Sequence, residues 1–188
     1  MSALFYDKCY FDEDISRWDV SSVTTMERMF CETDFFNQDI SKWDVGNVNN
    51  MDYMFKKAIN FNQYIGKWDV SNVITMKGMF EDAYVFNKPL EDWKVSKVTN
   101  MSNMFCRAYS FNQNIDCWNT ENVENMFKMF YGARKFNQPI GYWDVRKVSN
   151  MDDMFCCALK FNKELQYWDV SNVKTMNYMF MGAKMFNQ

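Results

Sequence analysis

The chain has 188 residues, 48% of them hydrophobic and 24% charged, with 18 Phe, 17 Met and 7 Trp but only 6 Gly, 2 Pro and no His. A net charge of −3 offers no basic face for nucleic acid, and the lack of His removes the commonest general base together with Ser–His and Cys–His catalysis. No apolar run approaches the roughly 18 residues of a membrane-spanning helix, and the opening stretch MSALFYDKCYFDEDI puts acids where a signal peptide wants an apolar core.

Along the chain one pattern returns. Trp stands at Trp18, Trp43, Trp68, Trp93, Trp118, Trp143 and Trp168, a step of 25 residues without insertion or deletion. Met26 through Met176, Phe30 through Phe180 and Val23 through Val173 keep the same step. A period between about 20 and 50 residues marks a stacked array. The expected organisation is one repeat domain over 1–188, its units beginning near 1, 26, 51, 76, 101, 126, 151 and 176, the first and last incomplete.

Each unit predicts two elements. In F-N-Q-x-I-x-x-W-D-V, β-branched and aromatic residues suit a short extended strand over Ile40 to Val45. Asp, Ser and Asn then close a turn through local side-chain bonds, as in DVSNV at 69–73. The residue before the first Met is always Asn or Thr, as at Thr25, Asn50 and Thr75, and both cap helix N-termini. Val48, Met51, Met54, Phe55 and Ala58 share one helical face, which predicts a short helix near 51–58. Such a helix is too short to persist alone, so folding is expected to belong to the stack. Helices on one side pack about 8–10 Å apart and strands on the other about 4.8 Å, which predicts a bent column. The predicted fold class is an α/β solenoid of about seven units. Met51, Met54, Phe55, Phe61, Trp43, Trp68 and Trp93 form its core, with Asn62 in a ladder beside it.

Two polar rows accompany the core. Asn37, Asn62, Asn87, Asn112, Asn137, Asn162 and Asn187 occupy one position, with Asp12 standing in at the start. Such a row satisfies backbone and its own neighbours more readily than it binds a ligand. Asp19, Asp44, Asp69, Asp144 and Asp169 form the second row, interrupted by Lys94 and Asn119. A calcium ladder is the alternative there, but the glycine-rich repeat that builds one is absent, and turn-forming Asp is the preferred reading. The acidic pair Asp152–Asp153 reads as a solvated turn. Among six cysteines, Cys106 and Cys156 lie two units apart, too far for the Cα separation of about 7 Å that a disulfide tolerates. Free thiols are expected, with one of Cys156 and Cys157 buried and the other facing outward. No phosphate-cradling glycine loop and no zinc-ligand spacing occurs. No catalytic residue, metal or cofactor is predicted.

The unit M-x-x-M-F-x-x-A-x-x-F-N-Q-x-I-x-x-W-D-V-S-N-V, clearest in Met51–Val70 and Met151–Val170, resembles the repeats of the BspA-like leucine-rich repeat proteins. That family occurs in bacterial and mycoplasmal surface lipoproteins and in some protists and large DNA viruses. The resemblance covers essentially the whole chain. It implies an LRR-like stack and, where a role is assigned, adhesion or other binding. It also implies the cell surface, whereas the missing signal peptide and unpaired Cys favour an intracellular or viral setting.

The expected function is a non-catalytic protein-interaction scaffold with an unspecified protein partner, no nucleic acid and no membrane span. Positions that vary within a fixed frame are the candidate contacts: Asp39, Tyr64, Asn114 and Glu164 in one register, Tyr84 and Tyr109 in another. The alternative is a structural element that self-associates end to end, a homo-oligomer through the ends of the stack.

Overall fold

The computed structural model describes all of residues 1–188. It corrects the predicted fold class. The chain forms no helix at 51–58 or anywhere else, and no strand at Ile40–Val45. The only extended pairing is a row of isolated parallel bridges, Thr25 to Asn50, Asn50 to Thr75, and so on to Thr175. Each 25-residue unit is instead a coil of tight turns, and the coils stack in register. No helix is long and apolar enough to cross a membrane.

The turns explain why no helix forms. In the coil that starts at Met51, the N–H of Met54 bonds the C=O of Met51, Lys56 bonds Tyr53, and Ala58 bonds Phe55. Every such bond spans three residues, where an α-helix would span four. Tyr53 and Lys57 sit at φ +56° and +57°, in the left-handed region that ends a right-handed helix. The same two positions are left-handed in every coil, from Ala3 and Asp7 to Tyr178 and Gly182. Each non-Gly residue there costs about 1–2 kcal/mol. The compensation lies between coils. The reversals aim the N–H groups of Met51, Tyr53, Phe55 and Lys57 along the stack, onto the C=O groups of Thr75, Lys77, Met79 and Glu81 at 2.7–3.1 Å. A helix would consume those donors internally and leave the neighbouring carbonyls without partners. The capping residues keep their chemistry: Asn50 Oδ1 accepts the N–H of Asp52 at 2.8 Å, and Asn100, Asn125 and Asn150 do the same. They cap turns.

The opposite wall is joined by side chains. Trp68 Nε1 donates to the C=O of Ile40 at 3.1 Å, and the other tryptophans from Trp43 to Trp168 repeat the bond at 3.0–3.1 Å. Asn62 N–H donates to Asn37 Oδ1 at 2.9 Å, and this ladder continues to Asn187. Asn72 Nδ2 reaches the C=O of Gly46 at 2.8 Å. The predicted strand fails here because Trp43 N–H turns back onto Ile40 C=O at 3.2 Å, and side chains take over the bonding between coils.

A single cluster of 52 buried residues fills the interior. Met51, Met54, Phe55 and Phe61 are fully buried; Trp43, Trp68 and Trp93 are 2–4% exposed. Within a coil the rings of Phe55 and Phe61 lie 4.0 Å apart, and from coil to coil Phe55 follows Phe30 at 5.6 Å and Phe61 follows Phe36 at 5.8 Å. With no helices to be spaced wider than strands, the predicted cause of bending is absent.

Candidate functional site

Inward and ladder positions are committed to holding the stack, so any site must be built from the remaining surface registers. The sequence-derived candidates do not converge on one place. Asp39 and Asn114 serve local turns: their Oδ1 atoms accept the N–H groups of Ser41 at 2.9 Å and Asp116 at 3.2 Å. The bond from Ser41 also holds the Asp39 carboxyl below its ordinary range. Tyr64 is exposed and leans over Gly66, where an added Cβ would meet the Pro89 carbonyl at 2.6 Å and the Tyr64 ring at 3.0 Å. Gly66 is therefore required by the close approach of the next coil.

Tyr84 and Tyr109 do meet. Their rings stack at 4.8 Å and 13°, and the Arg134 guanidinium lies 4.2 Å above Tyr109. Three successive coils thus make one aromatic–cation rung. Glu164 borders a shallow groove with Pro139, Gly141, Tyr142, Lys163 and Tyr167. Tyr142 and Tyr167, which the sequence reading passed over, stack at 5.0 Å with 82% and 61% of their surfaces exposed. The signal was present, because they are one period apart.

Beside the Tyr84–Tyr109 rung runs a charged column. Lys57 Nζ bonds Glu32 at 2.9 Å, Lys56 lies 3.3 Å from Glu81, and Arg107 Nη2 bonds Asp82 Oδ2 at 2.6 Å. Asp82 is 3% exposed and depends on that partner. Its hydrogen bonds raise the Arg107 pKa further above an already high value. The six cysteines are free thiols. Burial pushes Cys31 up to about 11 and both Cys106 and Cys156 up to about 12, which makes these three poor nucleophiles at neutral pH. Cys156 is buried, and its Sγ lies 3.9 Å from that of the half-buried Cys157.

The aspartate row consists of turn caps. Asp19, Asp44, Asp69, Asp144 and Asp169 each accept the N–H two residues on at 3.0–3.1 Å, and Asn119 does the same for Glu121. Arg146, through its side chain and its N–H, holds the Asp144 carboxyl at about 2. A depressed folded pKa adds stability above the unfolded value of about 4, and that stability disappears as pH falls toward the folded value. Acid titration followed by tryptophan fluorescence should therefore show a change between about pH 4 and pH 2, with Trp143 next to the affected turn. Asp144→Asn keeps the cap and is expected to shrink that change. An unaltered acid profile would rule out Asp144 as its source.

A family model described as "Mycoplasma protein of unknown function, DUF285" matches the chain over residues 1–116, 36–140 and 107–188. The three overlapping matches together run the length of the chain, as a repeated unit should. No curated protein and no solved structure matches.

Proposed function

We propose, from the premise that the chain belongs to the DUF285 family, that it is a non-catalytic protein-interaction scaffold. The observation that carries this reading is the Tyr142–Tyr167 pair, stacked at 5.0 Å and largely open to water on a frame that does not need it. Large aromatic rings gain most when a partner covers them, which is why they concentrate at interface centres. The neighbouring Lys163 and Glu164 supply charge of both signs at the rim. The likeness of the unit to BspA-like repeats, where binding roles are assigned, supports the same reading. Affinity capture from the native cell tests it. The wild-type chain is expected to retain a protein partner, and Tyr142→Ala with Tyr167→Ala is expected to lose at least tenfold of it. Tyr64→Ala, in a different register, should leave capture intact. Equal capture by the double variant would overturn the proposal.

A further inference from the structure

Because each coil lies on the one 25 residues before it, place in the sequence is place along the column. One edge, formed by the ninth to fourteenth residues of each unit, then reads as a charge map. In the first two coils this edge carries Asp12, Glu13, Asp14, Asp34 and Asp39, and no cation. In the middle three it carries Ile59, Tyr64, Tyr84, Val85 and Tyr109 among uncharged Asn, Gln and Ser, with Lys88 as the only charge. From residue 126 onward it carries Arg134, Lys135, Lys160, Lys163 and Lys184 against the single acid Glu164. Glu13, Asp14 and Asp39 at one end and Arg134, Lys135, Lys160 and Lys184 at the other are exposed. In the middle, Tyr64, Tyr84 and Val85 are 39%, 37% and 40% exposed.

An edge that runs acidic, nearly uncharged, basic is complementary to itself under one operation, a two-fold axis through its middle. Two copies laid antiparallel set acid against base at both ends and Tyr84 and Val85 against their own copies at the centre, where the half-buried Lys88 is the one like-charge approach. Two copies laid parallel set like charge on like charge. We propose that this edge is the interface of an antiparallel, side-by-side dimer of the chain, with Tyr64, Tyr84, Val85 and Tyr109 of both copies at its centre. Such a contact is closed and isologous, so it stops at two copies. The exposed Tyr10–Phe35 pair, stacked at 5.4 Å within the acidic end, offers ring edges and faces to the partner's lysines. Tyr142 and Tyr167 lie outside this edge, although Pro139, Lys163 and Glu164 belong both to it and to their groove. Charge reversal at Glu13, Asp34, Lys135 and Lys160 touches no residue of that groove, so the dimer and the scaffold reading fail independently.

Analytical ultracentrifugation of the whole chain tests the proposal. At low salt the mass is expected to approach twice 22.7 kDa. The dissociation constant should rise about tenfold or more between 50 mM and 500 mM salt, as screening shortens the reach of the end charges. Lys135→Glu with Lys160→Glu should give a monomer, and so should Glu13→Lys with Asp34→Lys. An equimolar mixture of these two variants restores opposite charges at both ends and should dimerise again. Circular dichroism matching the wild type confirms that each variant is folded. A wild-type monomer at all concentrations, assemblies that grow beyond two copies, or a mixture that stays monomeric would each overturn the inference.

Discussion

Phe105→Ala is expected to remove about 3–5 kcal/mol of stability, the range for deleting a buried aromatic side chain. The Phe105 ring is fully buried. It lies 3.9 Å from Phe111 in its own coil, 5.6 Å from Phe80 below, 5.7 Å from Phe130 above and 6.3 Å from Trp118. Truncation therefore opens a void that touches three layers. In an array each layer is held by its neighbours, so damage at the centre weakens both flanks. A loss of this size is a large part of the roughly 5–15 kcal/mol that holds an ordinary domain. Urea unfolding followed by tryptophan fluorescence measures it. Phe180→Ala, at a ring that is only partly buried, should cost clearly less. A loss below about 1 kcal/mol at Phe105 would mean that the coils do not support one another through the phenylalanine columns.

Asn112→Leu is expected to cost about 2 kcal/mol, through hydrogen bonds and not through packing. Asn112 Oδ1 receives the N–H of Asn137 at 2.8 Å and Gln138 Nε2 at 3.0 Å. With a leucine in its place, the Asn137 N–H on a half-buried wall loses its acceptor. Asn112→Asp separates this account from a size effect. It keeps an acceptor of the same reach, and the chain already uses that substitution where Asp12 Oδ1 accepts the N–H of Asn37 at 2.9 Å. Denaturation midpoints should place the Asn112→Asp variant near wild type and the Asn112→Leu variant well below it. Equal losses for both substitutions would count against the ladder.

The candidate contacts were legible to the extent that the period itself reports proximity. Tyr84 and Tyr109 differ by one period and do stack. The same rule would have found Tyr142 with Tyr167, and Arg134 over Tyr109. The roles of Asp39 and Asn114 were hidden. A short polar side chain can face a partner or close its own turn, and only the backbone path shows that both accept the N–H two residues on.

Sequence alone determined what repeats and what is buried: the 25-residue step, the Met, Phe and Trp columns, and the local caps at Asn50 or Asp69, whose bonds reach only two residues away. Tertiary structure alone decided the conformation between those points. Met51 to Ala58 carries a helical spacing, yet its N–H groups choose between a carbonyl four residues back and a carbonyl in the next coil. Only when that coil is present do left-handed turns at Tyr53 and Lys57 become the better solution, because they give both layers their hydrogen bonds at once.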